Sequence, residues 1–445
     1  MGSSVELCWD GSPQERIPSH HREWFQTPAT KSPESFRFTA DGQLIERRIA
    51  LRSGATVCTC MPVTAEGHKR QVLEERLAAL YDREFLRTVE RPDLPARGRS
   101  VRVVDLFSGC GAMSLGIWEA CRAIGRRMKP VLALDSDSTA LEVYARNFRG
   151  AWTLVKPIES VLDRRLGARP SRWESELVSR MHRIDLVIGG PPCQGHSDLN
   201  NHTRRSDPKN GLYEKMARFA ELVKPKHLIV ENVPAVLHDR GGVVERTVAH
   251  LKLLGYHLDH AVVEVGGLGV PQRRKRHVLV ASLIRRPNIA AALSSFAQPP
   301  RSVAWAVADL MRAKQQGPFD SKGLATQRSL ARIDFLFDND LYELPDAQRP
   351  ACHRLKPHTY KSVYGRMRWD SAAQTITSGF LSMGQGRFVH PKRRRTITPH
   401  EAARLQFIPD FFDFGDVKNR TKLAEMIGNA VPVKLAYVIG IDLLR

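Results

Sequence analysis

Hydrophobic positions follow two different patterns along this chain, and the pattern changes near residue 100. Residues 36–61 contain short runs typical of strands, broken by Asp-Gly and Ser-Gly pairs at 41–42 and 53–54 that favour hairpin turns. Residues 68–89 carry apolar side chains at helical spacing and predict an amphipathic helix. A stretch rich in proline and glycine then predicts a linker. These features indicate an extra N-terminal segment, residues 1–98, in which no chemistry is recognisable.

Beyond residue 100, buried-strand runs alternate with helical stretches. We expect strands over 101–107, 131–135, 184–188, 227–230, 261–265 and 277–281, and helices over 113–124 and 138–148. This alternation predicts an α/β fold in which helices cover both faces of a parallel sheet. Ligands bind beyond the carboxyl ends of the strands in such sheets, so chemically active residues should follow strands.

The regular alternation ends near residue 285. Residues 285–391 combine short elements with many cationic and some aromatic side chains, which predicts a smaller, irregular domain. Helices predicted over 399–405 and 433–444 return the chain to the first domain. We therefore divide the chain into the segment 1–98, a large domain of 99–284 plus 425–445, and a small domain with its return segment, 285–424.

Charge and cysteine content narrow the possible partners. The chain has 68 Lys and Arg against 47 Asp and Glu, a formal charge of +21 that favours a polyanion, although a basic surface can also serve solubility alone. The seven cysteines are odd in number and irregularly spaced, so we expect a reducing compartment and no metal site. Without a signal-peptide pattern or an apolar run near the ~20 residues that span a bilayer, we expect a cytoplasmic protein without membrane contact.

A glycine-rich turn follows the first strand of the large domain. Gly109 and Gly111 allow the backbone to approach a ligand where the next helix begins, although purely structural turns share this pattern. Asp135 ends the next strand, where an acidic residue can accept hydrogen bonds from a ribose diol. Its alternative role is an N-cap for the helix that starts near Ser138.

Two further strands deliver reactive side chains to the same sheet edge. The run over 184–188 leads into Gly-Gly-Pro-Pro, a stiff turn that presents Cys193 as a nucleophile, whereas an ordinary core cysteine is the alternative. The run over 227–230 delivers the carboxyl group of Glu231. A cysteine and a carboxyl group at one edge form a candidate catalytic pair.

In their order and spacing these residues resemble the carbon-5 cytosine-specific DNA methyltransferase family of the bacterial type. The resemblance covers residues 101–445 and rests on six motifs: Asp-Leu-Phe-Ser-Gly-Cys-Gly at 105–111, Pro-Pro-Cys-Gln at 191–194, Glu-Asn-Val at 231–233, Gln-Arg-Arg-Lys-Arg at 272–276, Arg-Thr-Ile-Thr-Pro-His-Glu-Ala-Ala-Arg-Leu-Gln at 395–406 and Gly-Asn-Ala-Val-Pro at 428–432. It implies a Rossmann-like large domain that depends on S-adenosylmethionine and a small target-recognition domain. The implied activity is methylation of cytosine carbon-5 within a specific sequence of double-stranded DNA.

The resemblance also implies roles for individual residues. Cys193 would attack carbon-6 of a cytosine flipped out of the duplex, while a protonated Glu231 donates to ring nitrogen 3. Arg274 and Arg276 would lie at the base, with Arg276 against its carbonyl oxygen; phosphate binding is the alternative for this basic pair. The residues implied in binding S-adenosylmethionine are Phe107, Gly109, Cys110, Gly111, Asp135, Asn429, Ala430 and Val431.

Contacts with DNA are expected from two regions. Residues 194–210 resemble the family's mobile loop that closes over DNA, and the small domain adds further cations. The expected contacts are Ser197, Arg204, Arg205, Lys209, Arg387 and Arg393. Charge runs of this kind also occur as solvated faces, which is the alternative.

Two other functions remain compatible with such a fold. One branch of the family methylates tRNA and usually carries Cys-Phe-Thr, which this chain lacks. An idle DNA-binding module would not need intact Cys193 and Glu231. We therefore expect a monomeric, nucleoid-associated DNA methyltransferase that marks host DNA in restriction-modification or phage defence, and a solitary epigenetic methylase is the alternative setting. Residues 1–98 are a candidate tether for a restriction or defence protein.

Overall fold

The computed structural model describes residues 32–63, 77–95, 98–192, 208–313, 317–354 and 363–445. Its strands are β1 Glu34–Phe38, β2 Leu44–Ala50, β3 Thr56–Pro62, β4 Ser100–Leu106, β5 Arg127–Asp135, β6 Trp152–Val155, β7 Leu186–Gly189, β8 His227–Asn232, β9 His257–Glu264 and β10 Lys275–Ser282. Its α-helices are α1 Leu77–Arg87, α2 Ala112–Ala123, α3 Ser138–Asn147, α4 Arg172–Ser179, α5 Glu214–Val223, α6 Val243–Leu253, α7 Ile289–Ser295, α8 Val303–Val307, α9 Gln327–Asp338, α10 Ala351–Arg354, α11 Pro399–Leu405, α12 Arg420–Gly428 and α13 Val433–Leu444.

A seven-stranded sheet in the order β6-β5-β4-β7-β8-β10-β9 forms the centre of the large domain. The strands from β6 to β8 pair in parallel, as predicted. The expectation of a wholly parallel sheet is wrong at its end, because β10 pairs antiparallel with both β8 and β9. Residues 265–274 alone connect β9 to β10, fewer than the dozen or so that a parallel crossover needs, so the chain turns back as a hairpin.

Helices cover both faces of this sheet and create two apolar cores. Neighbouring residues of β4 illustrate the division, since Val103 belongs to one core and Val104 to the other. The first core includes buried side chains of α2 and α13, and the second includes those of α5 and α6. The helical stretch Arg420–Leu444 is long and apolar enough to cross a membrane, but 83% of its apolar window is buried inside the protein. It is therefore a core element here.

The strand order creates a crevice for a ligand. The chain passes from β4 to β5 and β6 on one side, and later continues with β7 and β8 on the other side of β4. The turns that follow β4 and β7 therefore lie next to each other at the topological switch point, where open α/β sheets bind their ligands. The predicted glycine-rich turn and the predicted nucleophile turn meet at this place.

The described part of the N-terminal segment shares its core with the large domain. Strands β1 to β3 form an antiparallel sheet, and its buried side chains belong to the same apolar core as those of α2 and α13. Arg47 of β2 lies 2.7 Å from Glu119 of α2. The Tyr437 hydroxyl of α13 donates a hydrogen bond to Glu34 of β1 at 2.6 Å. Helix α1 is described from Leu77, so the first part of the predicted helix over 68–89 lies outside the described residues.

The region after residue 317 has a small apolar cluster of its own. Its buried members are Ile333, Leu336, Leu344, Val363, Tyr364, Met383 and Val389. Helices α7, α8 and α11 instead contribute buried side chains to the core of the large domain. The irregular stretch is thus held partly by its own core and partly by the large domain.

Candidate active site

The turn after β4 has an unusual backbone conformation and leaves free space beside Gly109. Phe107 has a φ of 59°, a left-handed conformation that is uncommon for residues other than glycine and concentrates at functional sites. Gly109 has a φ of 50°, and a Cβ atom placed there would meet no atom within 4 Å. At Gly111 a Cβ atom would lie 2.6 Å from Phe148 Cε2, so packing requires glycine. The turn can therefore bring its backbone close to a ligand.

Asp135 holds this turn in place. Its Oδ2 accepts a hydrogen bond from the Gly109 N–H at 2.8 Å, and its Oδ1 accepts one from the Asp137 N–H at 3.0 Å. The N-cap of α3 is Asp137, whose carboxylate accepts from the N–H groups of Thr139 and Ala140. The alternative role of Asp135 as that N-cap is therefore wrong. A half-buried carboxylate with remaining lone pairs suits a ligand diol.

An orphaned polar atom in the same turn tests the fit to S-adenosylmethionine. Ser108 is buried, and its Oγ has no hydrogen-bond partner among the described residues. Such a group is costly unless a ligand or solvent completes its hydrogen bonding. The amino-acid and ribose groups of S-adenosylmethionine offer suitable partners for Ser108 and Asp135, so the residues present fit this molecule.

Cys110 differs from its neighbours in the turn. Its Sγ lies 3.9 Å from the Met426 carbonyl oxygen, to which the thiol donates. Burial raises the pKa of the Cys110 thiol to about 12. The side chain thus belongs to the core, and only the backbone of Cys110 is left for the predicted contact with the cofactor.

Glu231 is the next-to-last residue of β8 and is 7% exposed. Burial raises the pKa of its carboxyl group, while Arg276 and Arg274 act in the opposite direction. Arg276 Nε lies 2.7 Å from Glu231 Oε1 and forms an ion pair with it, and this buried oxygen has no further hydrogen-bond partner among the described residues. A raised pKa favours the protonated carboxyl, which is the form that can donate a proton or a hydrogen bond.

The turn after β7 packs directly against Glu231. A Cβ atom on Gly190 would lie 3.4 Å from Glu231 Oε2 and 3.1 Å from Val431 Cγ2. The Asn232 side-chain amide donates to the Pro191 carbonyl oxygen at 3.2 Å. This bond holds the peptide that immediately precedes the Pro-Cys step. Cys193 itself lies outside the described residues, as do Ser197, Arg204, Arg205 and the side chain of Lys209.

The Arg274 guanidinium binds backbone carbonyl groups. Its guanidinium donates to the carbonyl oxygens of Ile376 at 2.6 Å, Gly428 at 3.2 Å and Ala430 at 3.3 Å. These bonds tie the segment around residue 376 to the 428–432 motif. These contacts give Arg274 a positioning role, and its predicted place at the base stays a prediction.

Within the 428–432 motif, Val431 is the residue that packs against the turn after β7. Val431 is half-buried beside Gly190, whereas Asn429 is exposed and Ala430 is buried. The carbonyl oxygen of Ala430 is occupied by Arg274. Cofactor binding by Asn429, Ala430 and Val431 stays a prediction.

The two predicted DNA contacts of the small domain make internal contacts. Arg387 donates to the Tyr342 carbonyl oxygen at 3.1 Å and pairs with Glu343, and Arg393 donates to the Met311 carbonyl oxygen. Nothing in these contacts supports the predicted role in phosphate binding, which therefore remains a prediction.

Sequence reasoning assigned no role to three residues that organise the site. They are Ser108, Asn232 and Gln272. The fully buried Gln272 amide donates to Gln406 Oε1 at 2.8 Å, and its oxygen accepts from the Ile376 N–H at 2.7 Å. All three lie inside the motifs quoted above, but a motif does not reveal where a polar side chain points.

Comparison with known proteins agrees with the geometry. The model of the family described as C-5 cytosine-specific DNA methylase matches residues 101–445. Type II methyltransferase M1.BsuMI of Bacillus subtilis (strain 168) is 45% identical over 409 residues, which are 92% of this chain and 95% of that protein. Type II methylase M.HgiDII of Herpetosiphon aurantiacus is 31% identical over 358 residues, 77% of this chain and 95% of that protein.

A solved structure agrees on the fold. A prophage-encoded E. coli protein, described as a DNA modification methyltransferase, superimposes with a TM-score of 0.53 at 21% identity and covers 77% of this chain and 97% of that one. The predicted Rossmann-like methyltransferase fold is confirmed, and so is the resemblance to the family. The chain belongs to the C-5 cytosine-specific DNA methylases, enzymes that transfer the methyl group of S-adenosylmethionine to carbon-5 of cytosine in DNA.

Proposed function

We propose that this enzyme methylates cytosine within a specific double-stranded DNA sequence, with Cys193 as the nucleophile and Glu231 as the acid. The observation that carries the proposal is the state of Glu231. Its carboxyl is buried, has a raised pKa and packs against the turn that leads to Cys193. A buried acid with a raised pKa beside a cysteine turn is suited to donate to a polar ring.

The chemistry assigns each group a task. The Cys193 thiolate adds to carbon-6 of the cytosine, and the electron pair displaced from the 5,6 double bond makes carbon-5 nucleophilic. Protonated Glu231 donates to ring nitrogen 3, where negative charge develops. S-adenosylmethionine supplies the methyl group that carbon-5 accepts. A base delivered by solvent then removes the carbon-5 proton, which restores the double bond and releases the Cys193 thiolate, and nitrogen 3 returns its proton to Glu231.

Positioning residues prepare these two groups. Asn232 holds the Pro191 peptide and thereby sets the start of the nucleophile loop. Arg276, 2.7 Å from Glu231, is our candidate for the contact with the carbonyl oxygen of the base. The cytosine has to leave the duplex to reach these groups, so we infer base flipping. Ser197, Arg204, Arg205 and Lys209 are the proposed DNA contacts of the loop that follows Cys193.

We infer the biological setting from the relatives, two of which are named type II methyltransferase or methylase and come from bacteria. The enzyme would mark cytoplasmic host DNA as part of a restriction-modification or phage-defence system. It would act as a nucleoid-associated monomer, and a restriction or defence protein is its proposed partner.

The test is transfer of labelled methyl groups to mixed-sequence duplex DNA and to tRNA, with Cys193→Ser in parallel. We expect label on DNA cytosine that is absent with Cys193→Ser, and bisulfite sequencing of the product should return one short recognition sequence. Binding of S-adenosylmethionine by the variant, measured by calorimetry, controls for folding. Label on tRNA alone would move the enzyme to the RNA branch, and label on neither would refute the proposal.

A further inference from the structure

Five side chains of the small domain form a continuous stack in which arginines alternate with aromatic rings. The Arg368 guanidinium lies 4.3 Å from the centre of the Tyr342 ring, and Arg366 lies 5.0 Å from the same ring. Arg366 also lies 4.1 Å from the Phe337 ring, which Arg394 approaches at 5.3 Å. Cation–π contacts of this kind hold a guanidinium in a fixed plane.

The two ends of the stack differ in their partners. Arg394 at one end pairs with Asp334 at 3.1 Å and Asp338 at 2.6 Å, so its charge is compensated. Arg368 at the other end is exposed, and no described residue accepts a hydrogen bond from its guanidinium or pairs with its charge. The nearby carboxylate of Asp370 accepts from the Ser371 hydroxyl at 3.2 Å instead.

Arg368 is an exception among the arginines of residues 363–395, a range that the structure describes throughout. Arg366 donates to the Pro391 carbonyl oxygen at 3.0 Å, and Arg395 donates to both oxygens of Glu401 at 2.7 Å. Arg387, Arg393 and Arg394 also have protein acceptors. Among the arginines of this range, only Arg368 has a guanidinium that stacks on an aromatic ring and has no hydrogen-bond acceptor among the described residues.

The position of Arg368 along the chain places it near the catalytic groups. Ala373, five residues later, exchanges backbone hydrogen bonds with the 271–273 segment, at 2.7 Å with the Arg273 N–H and at 3.0 Å with the Pro271 carbonyl. Five residues span at most about 18 Å. The same segment continues directly to Arg276, which contacts Glu231. The step across the backbone pair adds about 5 Å, and the three residues from Arg273 to Arg276 add at most about 11 Å. The whole path is therefore at most about 34 Å, which corresponds to no more than about ten base pairs at a rise of about 3.4 Å each.

We propose that Arg368 is a specificity-determining residue that reads a guanine of the recognition sequence. An arginine fork donates in parallel to guanine O6 and N7 in the major groove, and this pairing distinguishes guanine from the other bases. Stacking on Tyr342 orders the fork before DNA binds, so less side-chain freedom is lost on binding. The inference rests on the proposed function, because it presupposes methylation within a specific DNA sequence.

The test compares recognition sequences among variants. Wild type, Arg368→Ala, Arg368→Lys and Tyr342→Leu are incubated with a randomised duplex library, and bisulfite sequencing gives the preference at each position around the methylated cytosine. We expect Arg368→Ala to weaken the preference for guanine at one position by roughly 5- to 150-fold and to leave the other positions unchanged. Arg368→Lys should lose most of that preference too, since it keeps the charge but not the fork. Tyr342→Leu should give an intermediate loss.

Arg394→Ala is the matched control, because it removes an exposed arginine from the other end of the same stack. It should leave the preference at every position unchanged. Arg368→Ala could instead lose activity equally on all sequences, while Arg368→Lys keeps it. If the slope of log affinity against log salt concentration also becomes weaker by about one unit, Arg368 is a phosphate contact and the proposal is overturned. An unchanged sequence profile for Arg368→Ala would overturn it as well. Absence of methylation by the wild type would instead refute the proposed function.

Discussion

Replacement of Arg47 by methionine should destabilise the large domain, although Arg47 belongs to the N-terminal segment. Arg47 is 2% exposed and lies 2.7 Å from Glu119 of α2 and 3.9 Å from Glu34 of β1. It also donates to the Tyr437 hydroxyl of α13 at 3.2 Å. One side chain therefore links the N-terminal sheet to α2 and α13 of the large domain.

The expected magnitude follows from the charges in this cluster. Arg47 and Arg122 balance Glu34 and Glu119, all four of them buried. Removal of Arg47 leaves one uncompensated negative charge, although Arg122 still pairs with Glu119 at 2.7 Å. Removing one partner of a buried ion pair costs about 3–5 kcal/mol of unfolding free energy, and the apolar methionine chain fills part of the volume. We expect a loss near the lower end of this range.

The assay is urea unfolding followed by circular dichroism, combined with a double-mutant cycle. Arg47→Met should lower the unfolding free energy by about 3 kcal/mol. Adding Glu34→Gln should restore at least 1 kcal/mol or so, because the cluster becomes neutral again while the amide keeps a hydrogen-bond acceptor for Tyr437. Arg48→Met, which removes a half-exposed arginine from the same strand, is the matched control and should change stability by less than about 0.5 kcal/mol.

A loss below about 0.5 kcal/mol for Arg47→Met, or strictly additive effects in the cycle, would refute this reasoning. The same contacts bear on the proposed tether. Deletion of residues 1–95 would remove β1 to β3 and α1 from the shared core, so it would unfold the enzyme whether or not a partner binds there. Deletion of residues 1–31 leaves these elements intact and is the cleaner test of a tether.

Three further results are expected. Glu231→Gln should lower kcat/KM by about 100-fold. Because only the protonated acid donates, the wild-type rate should fall as pH rises through the raised pKa of this carboxyl, and the variant should lose this fall. A pH–rate profile of the variant that keeps its alkaline limb would contradict this. Burial raises the pKa of Asp105 from 3.8 to about 8. As pH rises, the unfolded chain loses this proton at a lower pH than the native protein does. The free energy of unfolding therefore falls between pH 4 or so and about 8, by up to about 1.4 kcal/mol per pH unit. Urea unfolding across that range should show a flatter slope for Asp105→Asn, and an unchanged slope would exclude Asp105 as the cause. In Gly428→Ala the new Cβ would lie 2.1 Å from the Ser378 nitrogen, so the unfolding free energy should fall by about 3 kcal/mol. The control is Gly267→Ala, whose new Cβ would meet no atom within 4 Å and should have little effect. Equal urea midpoints for the two variants would contradict the clash.

Most of the large domain can be predicted from the sequence because its signals are local. Strand β8 and helix α13 lie where apolar runs and helical spacing predict them, although β8 continues two residues beyond the predicted strand and includes Glu231. The glycine-rich turn is also a local property, since the left-handed backbone at Gly109 and Gly111 depends on the residue type itself. The switch point follows from strand order, and it brings the predicted cofactor and nucleophile turns together.

The directions of polar side chains could not be predicted in the same way. Cys110 belongs to the cofactor motif but donates into the core. Arg274 lies two residues from Arg276, yet its guanidinium binds three backbone carbonyl groups, whereas Arg276 pairs with Glu231. The reversal of β10 was missed because alternating strands and helices suggest parallel pairing everywhere, and only the short connection from β9 forces a hairpin.

The amino-acid sequence by itself determined the chemistry of this enzyme, because the cofactor turn, the cysteine loop and the acid are short segments whose residue types carry their function. The tertiary structure alone decided which charges are buried together. Arg47 and Tyr437 are 390 residues apart in the chain and meet inside one core. The burial that raises the pKa of Glu231 likewise exists only in the folded protein. Desolvation and ion pairing depend on what surrounds a group in space, and that environment exists only after the chain has folded.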